Sequence, residues 1–358
     1  MKIFLTICVI LFSAGALAAG SYLLMIHRSN GNLFSGGVKR HYILHVPANL
    51  DLSKPNALVI SLHGFGDWPA HQMYMSGWND LADEEGFIVV YPMGTKVPLR
   101  WQLYDYQQPA NNPSADLRFI ADLIDHFSQR FHIDPARIYI NGLSNGGGMA
   151  QAVGCALSER IAAVGGVAGA YLYPFSKCTS GRAMPTIFFH GTADPVVPYE
   201  GGPSERFDIP FPPIPDLVQR VATMNGCAEQ AQIVYKGATV QGIRYGNCTN
   251  NADVIFYTIR DGGHSWPGGR AMPHWVVGET NQEINATRLM WGFFQSHPLP
   301  DDKESSLTSS LNRQFSYNTR KPHSIRKNNE QRTDLADLWA GSNHRLPHWY
   351  PQRKSTSG

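Results

Sequence analysis

A serine hydroxyl attacks a carbonyl carbon at neutral pH only when a neighbouring base takes its proton and a carboxylate holds that base in place. The chain carries all three residue types in suitable settings. Gly142-Leu143-Ser144-Asn145-Gly146 matches the pattern G-x-S-x-G, and Gly147 and Gly148 follow. An apolar run ends at Asn141 and the small-residue stretch MAQAVGCAL comes after, so a strand enters the motif and a helix leaves it. Such a turn strains the serine backbone and leaves no room for side chains at Gly142 or Gly146. Ser144 is the expected nucleophile.

Asp194, in His190-Gly191-Thr192-Ala193-Asp194-Pro195, follows a strand ending at Phe189 and is the expected acid. Asp208 and Asp216 are alternatives in or beside the Pro-rich loop 210–215, away from a strand end. Among 14 histidines, His264 stands out as the base. It lies just past a strand ending at Ile259, in Asp261-Gly262-Gly263-His264-Ser265-Trp266-Pro267-Gly268-Gly269, where glycines permit a sharp loop. His63 and His190 precede glycines at strand ends and suit backbone-bonding roles. His41 and His45 alternate along an early strand as surface residues.

The oxyanion of a tetrahedral intermediate needs two amide donors. Asn145 should supply one, and Phe65, in Leu62-His63-Gly64-Phe65-Gly66-Asp67, the other. Among the loop aromatics Trp68, Trp101, Tyr104 and Trp266, the pair Trp101 and Trp266 are the candidate substrate-binding residues. No H-E-x-x-H, zinc-type cysteine spacing, EF-hand loop or nucleotide-binding glycine pattern occurs, so neither a metal nor a cofactor is expected.

These residues need strands that end side by side. Residues 56–62, 86–91, 137–141, 185–189 and 253–259 read as buried strands. Residues 114–130 place Leu117, Ile120, Leu123, Ile124 and Phe127 on one helical face, with Ser114 as N-cap. Asp134-Pro135 marks a break before the next strand. Strands alternating with helices imply an α/β class: a mostly parallel sheet with helices on both faces, one domain over residues 30–298. Residues 299–358, rich in Ser, Asn, Arg and Lys, are expected to be a disordered extension.

At 43% hydrophobic and 16% charged, the composition is that of a globular protein. The net charge of +2 gives no reason to expect a nucleic-acid partner. Lys2, the apolar residues 3–11 and Ala16-Leu17-Ala18 form a signal-peptide pattern over residues 1–18, cleaved after Ala18 or Ala19. The product would be secreted or periplasmic, off the membrane, and a monomer. Residues 3–26 carry no charge, so an uncleaved anchor is the alternative. Cys155, Cys178, Cys227 and Cys248 then suggest two disulfides. Three connectivities are open, and local closure is the simplest, at about 3 kcal/mol per loop. Asn247 and Asn285 open glycosylation sequons.

Five segments together carry a resemblance. They are residues 62–66 (LHGFG), 133–150 (IDPARIYINGLSNGGGMA), 190–198 (HGTADPVVP), 262–269 (GGHSWPGG) and 283–298, ending in WGFFQSHP. In this order they resemble the extracellular esterases grouped with poly(3-hydroxybutyrate) depolymerases and with feruloyl or acetyl-xylan esterases of carbohydrate esterase family 1. The resemblance implies an α/β-hydrolase fold, the triad Ser144, Asp194 and His264, and the bridges Cys227–Cys248 and Cys155–Cys178. The tail after Pro298 lies outside the family pattern.

The leading expectation is a secreted serine esterase working through an acyl-enzyme. Its substrate would be a feruloyl or acetyl ester of a polysaccharide, or a hydroxyalkanoate oligomer or polymer. A serine peptidase of the prolyl-oligopeptidase kind is a second reading, although the chain before Ser144 is too short for a propeller. A non-catalytic binding protein on the same scaffold is a third, opposed by the presence of all three triad residue types.

Overall fold

The computed structural model describes residues 28–102, 114–172, 178, 181–204 and 206–300. The expected signal segment, Tyr104 and the chain from residue 301 lie outside the described residues. One ten-stranded sheet organises the rest. Its order is β1 (Gly31–Ser35), β2 (Val38–His45), β4 (Ile88–Pro92), β3 (Asn56–Leu62), β5 (Ile133–Leu143), β6 (Ala163–Val167), β7 (Thr186–Gly191), β10 (Val254–Ile259), β9 (Val240–Tyr245) and β8 (Gln232–Lys236). From β4 to β10 every pairing is parallel, and the strands at both edges pair antiparallel. The helices are α1 (Pro69–Ser76), α2 (Trp78–Glu85), α3 (Ala115–Arg130), α4 (Asn145–Ala156), α5 (Ile214–Met224), α6 (His274–Val277) and α7 (Ala286–Gln295).

Side-chain alternation sorts each central strand between two cores. Val59, Tyr139, Ile187 and Phe189 face Trp78, Met290 and Phe294 of α2 and α7. Leu58, Ile60, Leu62, Ile138 and Ile140 face Ile120, Leu123, Phe127, Met149 and Val153 of α3 and α4. Farther along that second face, Phe188, Val254 and Phe256 pack on Leu217, Val218 and Val221 of α5. Strands covered on both sides must be apolar throughout, which is why β3 and β4 are buried at every residue. Ser114 caps α3 as expected, its side chain accepting the Leu117 amide.

Three expectations change. Asp134-Pro135 does not precede β5 but lies inside it. The register jumps from Asn56 opposite Ile133 to Leu58 opposite Ile138, so this dipeptide occupies a bulge where proline's missing donor costs no ladder bond. Asp134 closes the bulge by accepting from Ala136 N at 3.0 Å and Arg137 Nε at 2.7 Å. The Pro-rich loop ends sooner than expected, because Pro215 belongs to the first turn of α5, where no amide partner is needed. Leu299, assigned to the tail, is still part of the fold: its amide donates to Ala136 O at 2.8 Å and its side chain packs on the core. Among the described residues, no helix is long and apolar enough to cross a membrane.

Candidate active site

β5 delivers Ser144 into a tight turn before α4. Its φ of 55° and ψ of −120° lie where few non-glycine residues go. The surrounding backbone holds it there: Ser144 N donates to Val167 O at 2.9 Å, and Ser144 O accepts from Ala170 N at 2.9 Å and Gly148 N at 3.0 Å. The motif glycines are fixed by contact. A Cβ on Gly142 would stand 2.4 Å from the Gly146 carbonyl carbon, and one on Gly146 would stand 2.4 Å from Leu62 O. Directly below, Ser61 Oγ donates to Asn141 Oδ1 at 2.9 Å and Trp78 Nε1 to the same oxygen at 3.2 Å, tying the ends of β3 and β5 together.

Asp194 and His264 come from the loops after β7 and β10, adjacent parallel strands. His264 Nδ1–H donates to Asp194 Oδ2 at 2.8 Å, and both residues are buried. The other carboxylate oxygen accepts from the Val196 and Val197 amides, each at 2.8 Å. His190 Nε2 adds a contact to Oδ2 at 3.3 Å while donating to Val197 O at 2.9 Å. Burial opposes charge on Asp194, but His264 and His190 outweigh it and hold the carboxyl well below the usual carboxylate range. Gly263 is required by close approach, since a Cβ there would meet Val277 O at 2.1 Å.

Ser144 and His264 line one cavity of about 380 Å³. Gly64, Phe65, Trp68, Met75, Phe207, Met272 and Val277 contribute to its wall. Phe65 sits at this cavity beside Ser144, and Gly64 would place a Cβ 3.5 Å from the Ser144 Cβ. Among the described residues, neither the Phe65 nor the Asn145 amide is engaged by another backbone carbonyl.

The expected substrate-binding aromatics are elsewhere. Trp101 is 2% exposed, donates Nε1–H to His63 O at 2.9 Å, and lies behind the Gly64 turn rather than in the cavity. Trp266 is 1% exposed, donates to Thr287 Oγ1 at 2.9 Å, and packs in the core beside α7. Both indoles find apolar surroundings and one hydrogen-bond partner, which is what a buried tryptophan needs. Of the alternative acids, Asp216 sits in the first turn of α5 and Asp208 is exposed. His63 is neutral and structural: burial pushes its pKa down, Nδ1–H donates to Gly64 O at 2.7 Å, and Nε2 accepts from Gly94 N at 3.0 Å.

Other features of the site were not among the expectations. The Asn145 side chain brackets Trp101, accepting its amide at 2.7 Å and donating to its carbonyl at 3.3 Å. Asp67 Oδ1 accepts from His71 Nδ1 at 2.7 Å, and both line the cavity. An aspartate and a histidine four apart on the approach to α1 is the pattern that would have pointed to them. Disulfides join Cys155 to Cys178 and Cys227 to Cys248. Asn285 of the second sequon caps α7, accepting the Arg288 amide at 2.9 Å.

A mostly parallel sheet with a strained serine after its central strand, followed in sequence by an acid and a histidine on neighbouring strand ends, defines the α/β-hydrolase fold. Residues 50–205 match the family described as Phospholipase/Carboxylesterase. The chain is similar to proteins named as feruloyl and acetylxylan esterases. It is 31% identical over 164 residues to the bifunctional acetylxylan esterase/xylanase of Neocallimastix patriciarum, covering 46% of this chain and 23% of that one. Feruloyl esterase B of Piromyces equi is 30% identical, with 64% of this chain and 44% of that one covered. Feruloyl esterase C of Emericella nidulans is 26% identical, with 63% and 76% covered. The chain thus spans less than half the length of the first two relatives.

Proposed function

We propose that the protein is a serine carboxylic-ester hydrolase that works through an acyl-enzyme on esters of the feruloyl or acetyl class or on hydroxyalkanoate esters. The observation that carries this reading is the convergence of Ser144, at a φ of 55°, with the Asp194–His264 pair on one cavity. His264, held through Nδ1 by ionised Asp194, presents Nε2 to take the Ser144 proton as Oγ bonds to the acyl carbon. The Phe65 and Asn145 amides receive the oxyanion. His264 then returns the proton to the departing alkoxide as the ester C–O bond breaks, and a water, deprotonated by the same ring, releases the acid and restores Ser144.

Secretion fits the two disulfides, which persist in oxidising compartments. The deciding experiment is fluorophosphonate labelling of the full chain beside S144A, with a panel of acetyl, butyryl, feruloyl and oligo-hydroxybutyrate esters. Label and turnover are expected in the wild type, and S144A should lose at least ~10⁴-fold in kcat. Label that persists in S144A, or faster cleavage of peptide amides than of esters, would overturn the assignment.

A further inference from the structure

Among the described residues, and apart from Ser144 and His264, the polar groups on the cavity wall are the Asp67–His71 pair and the Arg206 guanidinium. In the pair, both ring nitrogens of His71 face acceptors, Asp67 Oδ1 at 2.7 Å and the Met272 sulfur at 3.2 Å. The hydrogen bond to Asp67 raises the pKa of the ring, which favours the protonated form whose charge offsets Asp67. Arg206 lies on the same wall. Its guanidinium donates to the Val276 carbonyl, and among the described residues no carboxylate pairs with it. A guanidinium offers five N–H donors in a flat fork shaped for a carboxylate, and one carbonyl leaves most of them open. Phe65 and Phe207 pack edge to face at 5.8 Å, the latter one residue after Arg206, so the open charge stands beside an aromatic surface.

Building on the esterase reading, we infer that the site takes esters that carry a carboxylate at the far end of an apolar or aromatic segment, and that Arg206 reads this charge. A mono-ester of a dicarboxylic acid and the free-acid end of a hydroxyacid oligomer have this chemistry. A plain alkyl ester does not. Arg206 is itself exposed, so water and salt weaken its pull, and the expected discrimination is about tenfold rather than a thousandfold.

The test is the kcat/KM ratio of charged to neutral ester in two matched pairs, measured on the full chain. The p-nitrophenyl mono-ester of adipic acid against p-nitrophenyl hexanoate places the charge on the acyl side. 4-Acetoxybenzoate against its methyl ester places it on the alcohol side. In at least one pair the ratio should fall about tenfold in Arg206→Gln, recover most of that loss in Arg206→Lys, and shrink in the wild type as NaCl rises to about 0.5 M. Ratios in both pairs that ignore Arg206→Gln would overturn this inference and leave the esterase reading standing. Failure of the wild type to hydrolyse any of the four esters would remove both.

Discussion

The two sides of the cavity are built differently. On one side, Ser144 rests in a turn whose shape is dictated by backbone: Gly142, Gly146 and Gly64 stand where the Leu62, His63 and Gly146 main chains or the serine itself pass within a few ångströms. On the other, Trp68 and His71, Arg206 and Phe207, and Met272 come from three segments and line the wall with side chains. Backbone contact tolerates no substitution, so the first side leaves a short fixed motif. Side-chain contact can be re-made with other residues, so the second side leaves none. The setting of Ser144 is thereby fixed by backbone, while the wall around it depends on side chains.

The sharpest way to break this contrast is a single methyl group. Gly146→Ala places a Cβ 2.4 Å from Leu62 O and 2.6 Å from His63 O, neither of which can move without shifting β3. The serine must shift instead, and a displacement of about 1 Å costs about 100-fold in kcat/KM. Stability should fall by about 1–3 kcal/mol in urea titration. Gly292→Ala supplies the opposite case. Nothing lies within 4 Å of that position on the exposed side of α7, so the methyl group should stabilise by about 0.5–1 kcal/mol. Equal activity for wild type and Gly146→Ala would show that backbone contact does not set the elbow.

The same contrast explains what could be read from the residue order. The central strands, α3 with its Ser144-independent cap at Ser114, and the positions of Ser144, Asp194 and His264 follow from apolar runs and from glycines at strand ends, both local signals. β6, with the sequence AVGGV, escapes because its glycines answer to Met290 and Tyr171 rather than to strand propensity: a Cβ on Gly165 would meet Met290 Sδ at 2.6 Å, and one on Gly166 the Tyr171 hydroxyl at 2.2 Å. β8, at the sheet edge, is largely exposed and β9 beside it half-exposed, so neither carries the long apolar run of a strand buried on both faces. Trp101 and Trp266 misled because an aromatic residue in a loop looks the same whether it faces a ligand or plugs the core. Only the Trp101 bond to His63 O and the Trp266 bond to Thr287 decide between these.

That distinction can be sharpened by a pair of variants. Trp101→Phe leaves the His63 carbonyl buried without its donor, so it should cost about 1–3 kcal/mol of stability. Its KM should stay within about twofold, because the indole does not line the cavity. Phe207→Ala removes a half-buried wall ring and its edge-to-face contact with Phe65, so it should raise KM several-fold while changing stability by less than about 1 kcal/mol. Urea midpoints and Michaelis curves on one ester read both. The reverse pattern would return Trp101 to the substrate site.

The smallest effect concerns His71. Its hydrogen bond to Asp67 raises its pKa against the opposing pull of burial, so the folded state holds this proton more tightly than the unfolded chain. A raised folded pKa gives stability that is fully present below the unfolded value, about 6.5, and is lost as pH climbs through the folded one. For a partly exposed pair the contribution is about 1 kcal/mol at most. His71→Gln should therefore trail the wild type in urea midpoint at pH 5.5 and draw level with it by about pH 9. A gap that stays constant across that range would mean that folding leaves the pKa of the ring unshifted, and a wild type that loses ground to the variant towards pH 5.5 would mean that the ring is held uncharged. The Asp67 charge would then stand uncancelled on the wall, and the cavity would no longer carry a net positive charge through Arg206.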